Sequence, residues 1–125
     1  MSIVIHFLNG NDESIRQHYL AKEYRNDIEV EIDGTFYEVY FFTKDALEYE
    51  MRKDGFFSLP GIIILDEITT EKVIRSIDFL EQAGYFDRFT GYKQPFTARD
   101  RFVYKWYSNT QADFSAENAY SYTLR

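Results

Sequence analysis

The stretch Ile28-Glu29-Val30-Glu31-Ile32-Asp33-Gly34-Thr35 leaves this chain few choices. Strict alternation of apolar and acidic residues describes a strand with one dry face, and Asp-Gly is the pair that a two-residue type I′ turn demands. The returning strand, Thr35 to Phe42, is then in a defined register. Ile32 faces Thr35, Glu31 faces Phe36, Val30 faces Tyr37, Glu29 faces Glu38, and Ile28 faces Val39. One face collects Ile28, Val30, Tyr37, Val39 and Phe41 and is the core side. The other collects Glu29, Glu31, Phe36, Glu38 and Tyr40. A slip of one residue would carry the glutamates into the core, so burial and turn chemistry agree. Glu29 opposite Glu38 repels, at a cost of roughly a few tenths of a kcal/mol.

The rest of the chain punctuates around this hairpin. Ile3 to Leu8 is an apolar run closed by Asn9-Gly10, a strand and a turn. Asn11 or Asp12 caps a following helix with Ile15 and Tyr19 on its apolar stripe. Thr43 caps a helix to about Asp54 that Gly55 ends, and Phe42 with Leu47 has the spacing of a hydrophobic staple. Gly61-Ile62-Ile63-Ile64-Leu65 reads as a central buried strand. Thr69 caps a helix striped by Val73, Ile74, Ile77 and Leu80, and Gly84 stops it. Residues 85–99 read as a long aromatic loop and Arg101 to Tyr107 as a strand. Ala112 to Tyr122 fits a last helix or a last strand.

The expected order is β-α-β-β-α-β-α-β, an α+β fold with an antiparallel or mixed sheet and helices on one face. Its first six elements match a split βαβ, ferredoxin-like arrangement. At 125 residues, a single domain over 1–125 is expected, large enough to bury a core without staples.

Composition removes several functions. With no cysteine there is no disulfide framework, thiolate metal site or cysteine nucleophile. The net charge of −7 argues against nucleic acid as the partner of the whole chain. The N-terminal residues lack a basic n-region, and Ile62 to Leu65 is far too short to span a bilayer, so a cytoplasmic protein without membrane contact is expected.

No catalytic constellation emerges. Ile62-Ile63-Ile64-Leu65-Asp66-Glu67 looks like a Walker B strand, but the glycine-rich phosphate loop that the chemistry needs is absent. Asp66 and Glu67 then belong to the turn before the Thr69 cap. His6 and His18 have no metal-ligand spacing, and Ser58 lacks a nucleophile elbow. Neither a cofactor nor a metal is expected, and the chain is read as a non-enzyme.

Charge placement says more. Asp27 to Glu50 holds eight acids and one base, Lys44, so this segment alone accounts for the whole net charge of −7. Charges that guard a sheet edge from aggregation would look similar. The sharper reading is a binding face for a basic protein partner: Glu29, Glu31, Asp33 and Glu38 meeting cations, Phe36 and Tyr40 as anchors, Asp45 and Glu48 extending the patch. Asp87 to Lys105 has the opposite sign, with Arg88, Lys93, Arg99, Arg101 and Lys105 among five rings. It reads as a loop over the core, as a stacking site for single-stranded nucleic acid, or as a self-association surface in a homo-oligomer. An alternative from another class is a small ligand-binding domain or enzyme with a tyrosine-lined pocket, drawing on Tyr85, Tyr92, Tyr104 and Trp106.

A compact acidic α+β domain with an acidic hairpin over Ile28 to Tyr40 and no catalytic set resembles the small immunity proteins of bacterial toxin systems. The stretch Ile64-Leu65-Asp66-Glu67-Ile68-Thr69, with a helix ending at Gly84-Tyr85-Phe86, is similar to segments of such proteins. The resemblance implies a partner, a basic toxin domain such as a nuclease, whose active site or essential surface is blocked. It assigns no individual residue a role.

Overall fold

The computed structural model describes residues 2–93, 105–107 and 121–124. The chain runs β1 (Ile3–Phe7), α1 (Glu13–Lys22), β2 (Tyr24–Ile32), β3 (Thr35–Phe42), α2 (Lys44–Asp54), β4 (Ile62–Ile64), α3 (Thr70–Gln82), a 3₁₀ turn (Tyr85–Arg88), β5 (Lys105–Tyr107) and β6 (Ser121–Thr123). The fold is α+β, built on a six-stranded mixed sheet in the order β4-β3-β2-β1-β6-β5. Pairs β3·β4 and β5·β6 are parallel and the others antiparallel.

The hairpin has the predicted register at all five positions, Ile32↔Thr35 through Ile28↔Val39. Asp33 and Gly34 both take positive φ, 48° and 83°, as a type I′ turn requires. Helix starts also follow local chemistry: the side chains of Asp12, Thr43 and Thr69 accept from the main-chain N–H groups of Ile15, Ala46 and Lys72.

The strand order departs from a split βαβ. That motif leaves room for another strand between its first two, whereas β1 here lies directly against β2 and antiparallel to it. Side chains hold the two together. The Arg25 guanidinium, at the start of β2, donates to Asp27 (2.7 Å), to the Gly10 carbonyl (2.7 Å) and to Asn11 Oδ1 (2.9 Å) in the turn after β1. It lies between the rings of Phe7 and Tyr19, 4.8 and 4.5 Å from their centroids. Asn11 donates in turn to Thr70 Oγ1 of α3, 3.1 Å away. Arg25 and Asp27 are both buried, and such a pair is tolerable only because its hydrogen bonds are satisfied.

One further expectation changes. Ile62 to Leu65 is not a central strand: among the described residues β4 pairs with β3 alone, at the end of the strand order, and Ile64 is 48% exposed. A parallel crossover through α2 delivers it to the one side of β3 that β2 has not taken. The helices differ in how much they bury. Ile15 and Tyr19 of α1 and Val73, Ile74 and Ile77 of α3 pack on Ile5, Val30, Val39 and Phe41, but α2 contributes no buried residue. Of the tail Ala112 to Tyr122, Ser121 and Tyr122 belong to β6, and 112–120 lie outside the described residues. Of the predicted strand Arg101 to Tyr107, residues 105–107 form β5, and 101–104 lie outside the described residues.

Candidate functional site

Glu29, Glu31, Phe36, Glu38 and Tyr40 do share the face opposite the core, as alternation dictates. The same face continues onto β1 through Val4 and His6 and onto β6 through Thr123. It is not uniformly open. Glu29 is fully buried and Phe36 is 9% exposed, so neither is a surface anchor. Glu31 is half-buried and lies 2.9 Å from His6 Nε2. The Phe36 ring stacks on that imidazole at 6.1 Å between centroids, and its main chain is bridged by Tyr92. Alternation assigns a side chain to a side of the sheet; it says nothing about what covers that side.

The other predicted partner-binding residues are dispersed. Asp33 is exposed in the hairpin turn, where its carboxylate accepts from the Ser2 N–H at 2.8 Å. Asp45 and Glu48 line a separate charged groove of about 520 Å³ with Lys22, Tyr24, Tyr49 and Lys53. Glu48 there lies within 4.0 Å of both Lys44 and Arg52. Asp33, Glu38 and Asp45 make no salt bridge among the described residues.

Glu38 and Tyr40 belong to a different feature, at the outer edge of β3. This edge is bonded at Phe36, which exchanges main-chain bonds of 2.7 and 2.9 Å with Tyr92. It is bonded again from Tyr40, whose N–H donates to the Gly61 carbonyl at 2.9 Å where β4 begins. Between the two lies a cleft of about 120 Å³, lined by Tyr37, Glu38, Tyr40, Tyr85 and Tyr92 among others. Gly61 shapes its wall: φ is +78°, and a Cβ there would stand 2.7 Å from the Glu38 carbonyl oxygen. The Tyr40 hydroxyl donates to Glu38 Oε1. Partial burial, then that hydrogen bond and charge, push the Tyr40 phenol up to about 12. Burial alone raises Tyr85, whose ring packs 5.1 Å from Phe86 and 5.0 Å from Phe89. Both phenols are therefore neutral near pH 7.

Tyr85 and Tyr92, expected in a tyrosine-lined pocket, do line this cleft, while Tyr104 and the Trp106 side chain lie outside the described residues. Sequence reasoning missed Tyr37 and Gly61 as cleft residues. The Leu59-Pro60-Gly61 turn before an apolar run was the available signal. In the basic segment, Arg88 and Lys93 are exposed, and the Lys93 ammonium donates to Thr35 Oγ1 at 2.9 Å. Arg99, Arg101 and the Lys105 side chain lie outside the described residues.

The remaining candidates have structural employment. Lys72 bonds Asp66 at 2.8 and 2.9 Å and Glu67 at 3.1 Å, which lowers the Asp66 pKa and raises its own. His6 is buried in the sheet and His18 is exposed on α1. Among the described residues no group of three His, Asp or Glu is placed to hold a metal ion, and no helix is long and apolar enough to cross a membrane.

No family model, curated protein or solved structure matches the chain.

Proposed function

We propose that this chain is a non-catalytic binding protein that neutralises a basic protein partner in the cytoplasm, in the manner of an immunity protein blocking a toxin domain. The observation that carries the reading is the β3 edge, where Glu38 stands exposed beside Tyr40 at a cleft walled by tyrosines. Carboxylates without a protein cation attract a basic surface, and tyrosine supplies contact area at low entropic cost. Asp33 and Asp45, both exposed, extend the negative field along the hairpin turn and the start of α2. Glu29 and Phe36 drop out of the contact surface and support it from within.

Affinity capture from the native host tests this. Wild-type protein should retain a basic protein that is released as ionic strength rises from about 0.15 M to about 1 M, which shortens the Debye length from about 8 Å to about 3 Å. The combined substitution Asp33→Lys, Glu38→Lys and Asp45→Lys should slow association with that protein by roughly tenfold or more. Glu29 is left unchanged, since reversing a buried charge would test folding instead. Equal association rates for wild type and the triple variant would sink the electrostatic mechanism.

The tyrosine cleft also bears on the alternative of a small-molecule site. Its volume of about 120 Å³ is small for that use and favours the binding-protein reading. Pockets that bury a drug-sized ligand run to about 300–1,000 Å³.

A further inference from the structure

We infer that the β3 edge cleft is a socket for one arginine side chain of the partner. The inference rests on the reading of a basic protein partner and names the group that is recognised.

The backbone makes the first part of the case. Along an antiparallel strand, alternate residues send their N–H and C=O groups to the same edge. Phe36 and Tyr40 send theirs outward, to Tyr92 and to Gly61. Glu38 lies midway and shares that orientation, and among the described residues no backbone bond closes on it from this side. The outer edge of β3 thus carries a carbonyl acceptor in the gap between two bonded stretches. The Glu38 carboxylate, which with Tyr40 lies on the other face of the sheet, adds negative charge beside this edge.

Ring faces make the second part. Tyr37, Tyr85 and Tyr92 line the same cleft, and Tyr92 is 57% exposed, so a ring stands at the mouth. Aromatic rings next to a carbonyl acceptor, with negative charge nearby, suit a cation that is flat and rich in donors. A guanidinium has five N–H donors in a plane, is weakly hydrated and stacks on aromatic rings. An ammonium is a strongly hydrated point charge, and leaving water for a walled cleft costs it more.

Size makes the third. A volume of about 120 Å³ suits the planar tip of one side chain better than a whole nucleotide or sugar, since pockets for drug-sized ligands run to about 300–1,000 Å³. Lys93, the described cation beside Tyr92, is held on Thr35 Oγ1 at 2.9 Å.

The test uses N-acetyl-arginine methylamide as the probe, titrated into the full chain while tyrosine ring resonances are followed by NMR. N-acetyl-lysine methylamide and the neutral isostere N-acetyl-citrulline methylamide are the controls. The arginine probe should shift the rings of Tyr37, Tyr85 and Tyr92 with millimolar affinity, and each control should bind about fivefold more weakly. Glu38→Gln and, separately, Tyr92→Ala should each weaken the arginine probe by a similar factor while leaving the chain folded. Unshifted cleft rings, or equal shifts from all three probes, would overturn the inference. That failure is distinct from failure of the underlying reading, which shows as no salt-sensitive capture of a basic protein by the wild-type chain.

Discussion

On one face of the β2–β3 hairpin, Ile28, Val30, Val39 and Phe41 are buried against α1 and α3. On the other, Glu29 is as deeply enclosed and Phe36 nearly so, whereas Glu38, two residues beyond Phe36, is exposed. The first face is uniform because apolar area gains wherever water leaves it, roughly 1.5–3 kcal/mol for each large side chain. The second is graded, because a carboxylate is buried only where partners meet it and otherwise keeps its water. Burial on the acidic face thus tracks position in the sheet. Glu29 lies on β2, between β1 and β3, while Glu38 lies between the Tyr92 bridge and β4, where among the described residues no backbone bond meets the outer side of β3. The dry face builds the molecule and the graded face leaves it a contact surface.

Matched truncations on the two faces are the strongest way to break this contrast. Phe41→Ala should cost about 4 kcal/mol in urea unfolding, since it leaves a cavity among enclosed neighbours. Phe36→Ala should cost roughly half as much, because its site lies against a ring stack and a two-bond bridge that can relax. Equal losses would mean that the acidic face is a second core.

Arg25→Met probes the junction where β2 begins. It keeps much of the side-chain volume between Phe7 and Tyr19 but leaves the buried Asp27 carboxylate without its cation, held by the Asn9 N–H at 3.1 Å. A loss of about 3 kcal/mol is expected, with Asp27→Asn added to Arg25→Met restoring part of it. A double variant no more stable than the single one would show that the charge pair is not the source of the cost.

The smallest effect belongs to the outer edge of β3. Tyr40→Phe removes the bond to Glu38 and should cost about 1 kcal/mol or less at neutral pH, since water screens the pair. Its pH signature is sharper. The folded Tyr40 value, about 12, lies above the ordinary phenol value of 10. The contribution is therefore full below pH 10 and is lost as pH rises through about 12. Unfolding midpoints of wild type and Tyr40→Phe should converge across that window. Glu38→Gln should lower the Tyr40 value yet leave it above 10, because burial, the largest cause, is untouched.

Much of this was legible in the residues. Asp33-Gly34 admits one turn, the turn admits one register, and the alternation of Ile28 to Ile32 selects the core side. Asp12, Thr43 and Thr69 cap helices through bonds no longer than one turn. All of these are local, and a local bond needs nothing beyond its neighbours in the chain.

Tertiary structure alone decided the rest. Ile62 to Leu65 has the composition of a central strand, yet its place at the sheet edge depends on which side of β3 was already taken by β2. Nothing local marks Arg25 and Asp27 as buried: a turn from β1 and a ring from α1 close around them. The acids from Asp27 to Glu50 read as one patch because they are adjacent in sequence. In space Asp27 pairs with Arg25, Glu29 is enclosed, Glu31 meets His6, and Glu38 remains exposed. Charge is a property of composition, whereas exposure depends on contacts between residues far apart in the chain, which no local pattern encodes.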